Sequence, residues 1–136
     1  MGLDIGVKRI GVALSDEVLF IAQPYKVVER VSLSKDVDEI LRICEAESVS
    51  LIVAGLPYSA EGTVGAQADK TLKFVEALRK KTGIKIITWD ERFSTSAVER
   101  TLIEADASRQ KRKKVVDKLA AAFILQGYLD SRETGQ

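Results

Sequence analysis

Histidine is absent from this 136-residue chain, and Cys44 is its single cysteine. The lack of histidine excludes Ser-His-Asp and Cys-His nucleophile arrangements and zinc held by imidazole. A single cysteine excludes an internal disulfide and a cluster of thiolate metal ligands. Catalysis by this chain must therefore rest on carboxylates, lysines, hydroxyls or a metal ion held by oxygen.

Long hydrophobic runs are also missing. No apolar stretch approaches the roughly 18 residues of a membrane-spanning helix, and the amino terminus lacks the basic and apolar regions of a signal peptide. With 46% hydrophobic and 30% charged residues, the composition is typical of a globular protein. We expect one cytoplasmic domain over residues 1–136.

Hydrophobic patterning predicts alternating strands and helices after two initial hairpins. A β-α-β-α-β order implies parallel strands joined by right-handed crossovers, and the hairpins add antiparallel partners. Pro24 favours an early position in the third strand or an edge position for that strand, and Ser34 is the expected N-cap of the first helix. The prediction is an α/β fold with a mixed five-stranded sheet flanked by helices: strands at 1–5, 10–14, 20–30, 51–54 and 84–89, and helices at 34–47, 66–81, 94–104 and 109–130.

Acidic residues are predicted to meet at one edge of this sheet. Ligands of open α/β sheets bind beyond the carboxyl ends of the parallel strands. Asp4 lies on the first strand, Asp90 and Glu91 close the fifth, and Asp117 begins an inward-facing stripe of the last helix. Carboxylates brought this close repel one another unless a cation joins them. A hard cation held by oxygen, Mg²⁺ or Mn²⁺, is the expected occupant.

Simpler explanations exist for each acid taken alone. Asp4 could be an acid associated with the following turn, and Asp90 and Glu91 could be solvated loop charges. Asp117 could pair with Lys114 or Lys118 on its own helix. The metal-site hypothesis rests on the joint placement of the acids.

Four ordered motifs give the chain a resemblance to a known family. DIGVKRIGVALSD, GLP followed by EGT, DERFST, and KKVVDKLAAAFILQGYLD resemble the YqgF/RuvX family over nearly the whole chain. That family comprises Holliday-junction resolvases and nucleases that process the 5′ end of precursor 16S ribosomal RNA. The resemblance implies a ribonuclease H-like fold and an acidic divalent-metal site formed by Asp4, Glu91 and Asp117, with Asp90 as the substitute for Glu91.

The leading hypothesis is a metal-dependent nuclease acting on structured RNA or branched DNA. Two metal ions about 3.5–4 Å apart would activate a water molecule and stabilise the leaving oxygen. Basic side chains would hold the flanking phosphates. These candidates include five bases among the six residues 109–114, and the full set is Lys8, Arg9, Arg92, Lys111, Arg112, Lys113 and Lys114. Residues 109–114 taken alone could equally be solvated surface.

Two other functions remain open on the sequence alone. A non-catalytic nucleic-acid-binding module needs the basic residues but not three acids together. An actin-like or sugar-kinase-like ATP-binding domain shares the related fold, but such proteins clamp nucleotide between two domains and this chain is long enough for one. Paired cutting of a junction would need a homodimer, and the sequence is compatible with either a monomer or a homodimer.

Overall fold

The structure is a computed structural model. It describes residues 1–16, 21–56, 65–90 and 109–133, with the side chains of the last helix described over 119–132. The elements follow the predicted order and type, and the helix expected at 94–104 lies outside the described residues. They are β1 (Gly2–Ile5), β2 (Arg9–Ser15), β3 (Ala22–Glu29), α1 (Leu33–Ala46), β4 (Leu51–Leu56), α2 (Ala66–Lys81), β5 (Lys85–Asp90) and α3 (Arg109–Glu133).

The strands form one sheet in the order β3-β2-β1-β4-β5. β1 pairs antiparallel with β2 and parallel with β4, and β4 pairs parallel with β5. The mixed five-stranded sheet predicted from the sequence is therefore confirmed. Its first strand is also its central one, so the acid in β1 lies in the middle of the sheet.

The edge position expected for β3 is confirmed. Val12 of β2 is opposite Lys26, whereas Ala13 is opposite Pro24, so Tyr25 is an extra residue in β3. This β-bulge coincides with a proline, which cannot donate a ladder hydrogen bond and is confined to edges and bulges.

The N-cap expected at Ser34 was wrong by two residues. α1 begins at Leu33, and its cap is Ser32, whose Oγ accepts a hydrogen bond from the Lys35 amide at 3.3 Å. The chain enters the helix earlier because Asp36, in the first turn, accepts a hydrogen bond from the Val31 amide at 3.0 Å. That contact holds the residues before the cap against the helix.

One face of the sheet packs against α1 and α2 through large apolar side chains. Leu3 and Ile5 of β1, Ile52 of β4 and Phe74 of α2 belong to this core. Cys44 is buried here, and burial raises the pKa of its thiol above the ordinary value. A buried thiol with a raised pKa is a poor nucleophile, so Cys44 fills the core.

The opposite face packs against α3 through small side chains near Gly2 and through larger ones, Ile124, Leu125 and Leu129, further along the helix. Ala121 and Ala122 of α3 meet Ala13 and Val53 of the sheet. Gly2 permits this approach, because a Cβ added there would lie 2.6 Å from the Ala121 carbonyl oxygen. Across the described parts of the chain, no helix has the length and apolarity needed to cross a membrane.

Candidate active site

The carboxyl ends of β1, β4 and β5 lie at one edge of the sheet, because the three strands are parallel. β4 and β5 stay paired to their last residues, Leu56 and Asp90. The register between β1 and β4 covers only Gly2 and Leu3, so it stops before β1 ends. The last residues of β1 therefore lie at this edge, beyond its register with β4.

Asp4 lies on the α3 face of β1. Its neighbours Leu3 and Ile5 point into the core beneath α1 and α2, and side chains alternate along a strand. Gly2, two residues before Asp4, touches α3. Asp4 is half-buried and opposite Gly11 of β2, which leaves room on this face for the acid.

α3 runs antiparallel to β1. Its end lies near the amino-terminal edge, where Leu125 and Leu129 share a cavity lining with Met1 and Leu51. The helix therefore begins toward the carboxyl edge, on the side of the sheet that carries Asp4.

From the antiparallel course of α3 along β1, we expect residue 117 near the level of Asp4. The close contact between Gly2 and Ala121 fixes the two elements against each other. Asp4 is two strand residues, about 7 Å, beyond Gly2, and residue 117 is four helical residues, about 6 Å, before Ala121 in the same direction. The backbone of the Asp117 position is described as helix, and its side chain lies outside the described part.

Asp90 lies on the other face of the sheet from Asp4. Trp89 and Ile87 of β5 pack on the α3 side, and Ile86 packs on the α1 and α2 side. Alternation places Asp90 with Ile86. Glu91 and Arg92 lie outside the described residues.

The basic candidates are only partly described. Lys8 is exposed in the β1–β2 turn, at the same edge as Asp4. Arg9 begins β2 and donates from Nε to Glu29 at 3.2 Å, so its charge is already shared with an exposed acid. Lys111, Arg112, Lys113 and Lys114 lie in the first turns of α3, and their side chains are not among those described.

The ion pair between Arg30 and Asp36, which lies beneath the β1–β2 turn, was not predicted from the sequence. Asp36 is only 2% exposed and accepts from Arg30 Nε at 3.1 Å. Arg30 also donates from Nη1 to the Gly6 carbonyl at 2.9 Å. Gln67 of α2 donates to the Ile5 carbonyl at 3.0 Å. The contacts of Arg30 with Gly6 and of Gln67 with Ile5 span 24 and 62 residues and carry no periodic signal. The first-turn position of Asp36, six residues after Arg30, is the local feature that could have indicated the ion pair.

The donor chemistry at the edge fits a hard divalent ion. With histidine absent and the one thiol in the core, carboxylate oxygens are the available charged ligands. Among the residues the structure describes, no three potential ligands cluster, and of the three predicted acids only Asp4 has a described side chain. A cavity of about 600 Å³ lies at the opposite, amino-terminal edge, away from Asp4.

A family model agrees with this architecture. The model described as "RuvX: Holliday junction resolvase" matches residues 1–131. A protein of Clostridioides difficile (strain 630) is 54% identical over 130 residues, covering 96% of this chain and 92% of the relative. A protein of Desulforamulus reducens is 53% identical over 131 residues, covering 96% of both. Both carry the name "Putative pre-16S rRNA nuclease".

Solved structures show the same fold at low sequence identity. RuvC of T. thermophilus, in complex with a Holliday junction substrate, matches with a TM-score of 0.63 and 14% identity over 98% of this chain and 94% of that one. Fowlpox virus resolvase, also with junction DNA, matches with a TM-score of 0.52 and 16% identity over 96% of both chains. The ribonuclease H-like fold expected from the sequence motifs is therefore confirmed.

Proposed function

Because the chain belongs to the RuvX family of Holliday junction resolvases, we propose that it is a divalent-metal-dependent nuclease that hydrolyses phosphodiester bonds in structured nucleic acid. The observation that carries this proposal is the position of Asp4. It lies on the central strand, near the carboxyl edge, on the face covered by α3.

Asp4, Glu91 and Asp117 are the proposed ligands of Mg²⁺ or Mn²⁺. Asp117 is supported by the level of its helical position beside β1. Glu91 is preferred to Asp90 because alternation puts Asp90 on the face opposite Asp4. When bound, the metal would supply an activated water and stabilise the leaving oxygen.

The basic residues hold the nucleic-acid backbone in this proposal. Lys8 is exposed at the same edge as Asp4, and the basic residues 111–114 occupy the start of α3. Contacts from these residues and from Arg92 and Arg9 would bind phosphates and orient the strand without reading its sequence.

Precursor 16S ribosomal RNA is the first substrate to test, since relatives about half identical in sequence are named for it. The fold neighbours were solved with junction DNA, so a four-way junction is the second. The protein is incubated with each labelled substrate in Mg²⁺, in Mn²⁺ and in EDTA. We expect cleavage of the RNA with either metal and none in EDTA.

The same experiment separates the other functions. Tight binding of both substrates without cleavage in either metal would contradict the nuclease proposal and favour a non-catalytic binding module. Binding of ATP without binding of nucleic acid would favour the nucleotide-binding alternative. Cleavage of the junction but not of the RNA would support the proposed metal site and would identify branched DNA as the substrate.

A further inference from the structure

The carbonyl groups at the end of β1 are held by side chains from outside the sheet. β1 stays in register with β4 through Leu3, while β4 and β5 remain paired to Leu56 and Asp90. Beyond Leu3, the Ile5 carbonyl accepts from Gln67 Nε2 at 3.0 Å and the Gly6 carbonyl accepts from Arg30 Nη1 at 2.9 Å.

The Arg30 side chain and the backbone of Gln67 are themselves held by further contacts. Arg30 Nε donates to Asp36 at 3.1 Å, and its guanidinium lies 5.4 Å from the centroid of the Phe74 ring. Asp36 is 2% exposed and also accepts from the Val31 amide. Gln67 lies in the first turn of α2, where its own carbonyl accepts from Thr71 Oγ1 at 3.0 Å.

The turn between these carbonyls and β2 is equally constrained. The Gly6 amide donates to the Arg9 carbonyl at 2.8 Å, and the Arg30 amide donates to the Lys8 carbonyl at 2.9 Å. A Cβ at Gly6 would lie 2.8 Å from the Arg9 carbonyl oxygen. The turn is therefore held both by backbone hydrogen bonds and by the Arg30 guanidinium.

We infer that Gln67 and Arg30, with Asp36, form a clamp that positions the Asp4 carboxylate as a metal ligand from the opposite face of the sheet. This inference rests on the proposed function and assigns positioning residues to it. Residues that orient a metal ligand commonly change metal affinity when they are replaced, although they never touch the metal. The clamp acts through the backbone of Ile5 and Gly6, the two residues that follow Asp4.

A merely structural role is the competing explanation. A buried ion pair that loses one partner leaves an uncompensated charge and destabilises any fold. The test must therefore measure metal binding and not stability alone, and its main variant must spare the Arg30–Asp36 pair.

Gln67→Met is the main variant, because it keeps the length of the side chain and removes only the donor to Ile5. Gln126→Met is its matched control. Gln126 Oε1 accepts from the Ala22 amide at 2.8 Å, and its Nε2 donates to Asp130, so this variant removes at least as many hydrogen bonds. Its backbone partner lies at the start of β3, at the other edge of the sheet.

Mn²⁺ affinity is measured by calorimetry on the protein alone, and kcat and KM are measured on the RNA substrate. For Gln67→Met we expect Mn²⁺ affinity and kcat to fall by roughly 10-fold each with KM nearly unchanged, because the change affects the metal ligand and not the phosphate contacts. For Gln126→Met we expect wild-type Mn²⁺ affinity and kcat, with a similar loss of thermal stability.

Arg30→Lys is the second variant, and it decides the question if Gln67→Met does not fold. Lysine keeps a charge for Asp36 but lacks the planar fork that reaches both Asp36 and Gly6. Its control is Arg42→Lys, which changes an exposed arginine paired with Glu39 on α1.

The outcomes separate the two proposals. A wild-type protein that neither binds Mn²⁺ nor cleaves nucleic acid overturns the proposed function and the clamp with it. An active wild type whose clamp variants bind Mn²⁺ and turn over like their controls overturns the clamp alone. Weakened Mn²⁺ binding in the clamp variants only supports it.

Discussion

The two faces of the sheet are built on different principles. Beneath α1 and α2, large side chains such as Phe74 and Ile40 fill a deep core, and the Arg30–Asp36 pair is buried at its border. Beneath α3, the absence of a side chain at Gly2 lets the helix backbone at Ala121 approach β1 closely. Both faces bury apolar side chains, including Ile124 and Leu125 of α3, but the second face also sets a close spacing between a strand and a helix.

The difference shows where a functional acid can be placed. On the first face, the Asp36 carboxylate accepts hydrogen bonds from the Arg30 guanidinium and the Val31 amide, so its charge stabilises the fold. On the second face, the proposed ligands come from separate elements whose spacing is fixed by small residues. Such a face can hold a cation between strand and helix without filling the space with side chains.

Asp4→Asn should give the largest effect and tests the second face directly. We expect cleavage to fall by about 1,000-fold or more, because the metal site is deprived of a charged ligand. Without metal, thermal stability should be unchanged or higher, since one of several clustered negative charges is removed. The control is Asp38→Asn, which removes an acid of an exposed ion pair with Lys81. Full activity of Asp4→Asn in Mg²⁺ would end the catalytic assignment of Asp4.

Gly2→Ala should break the spacing of the second face. The added methyl would overlap the Ala121 carbonyl and lie 2.8 Å from Leu125 Cβ, so α3 must shift. We expect a decrease of about 1–3 kcal/mol in the free energy of unfolding, measured by urea denaturation. Gly83→Ala is the control, because a Cβ there meets nothing within 4 Å. Equal stabilities for the two variants would show that α3 does not need its close approach.

Neutralising the basic start of α3 should weaken nucleic-acid binding without touching the metal site. Replacing Lys111, Arg112, Lys113 and Lys114 with glutamine should reduce affinity by about 10-fold at moderate salt, across all sequences tested. For every phosphate that the variant no longer neutralises, the slope of log affinity against log salt should become shallower by roughly 0.7 to 0.9. Salt titrations on RNA and junction substrates measure this, and slopes equal to wild type would remove these residues from the binding surface.

Glu39→Gln should give the smallest effect, on the solvent side of the first face. Arg42, at 2.6 Å, and Lys26, at 3.1 Å, lower the pKa of Glu39 to about 2. A lowered pKa stabilises the fold above the ordinary value near 4.5, and that contribution is lost as the pH falls toward 2. Solvent screening limits the cost of the variant to less than about 1 kcal/mol at pH 7. The difference in thermal stability between wild type and variant should begin to shrink below about pH 4.5 and become small near pH 2, and a constant difference would contradict the assignment.

Much of the fold could be predicted from local patterns. Alternation and helical periodicity identified every described strand and helix, and Pro24 indicated the edge. The cap at Ser32 was missed because Ser32 and Ser34 are equally good caps in isolation, and the Asp36 contact that decides between them is tertiary. The bulge at Tyr25 was missed because it depends on the partner strand.

The candidate site likewise contains residues that local patterns could predict and residues that they could not. The position of Asp4 followed from an acid in an apolar strand, which is a local anomaly. Gln67 gave no such signal, because a glutamine in the first turn of a helix is ordinary and its contact with Ile5 spans half the chain. The assignments of Glu91 and Asp117 as metal ligands remain predictions.

The contact between Gly2 and α3 joins β1 to the last described helix, which comes more than 100 residues later in the chain. While the ribosome is still making the chain, the α3 face of the sheet stays uncovered until that helix emerges. Before α3 emerges, a nascent chain therefore cannot complete the proposed site, even if the rest of the domain has already folded. If ribosomal RNA is the substrate, cutting activity appears only after α3 has been synthesised and has packed on the sheet.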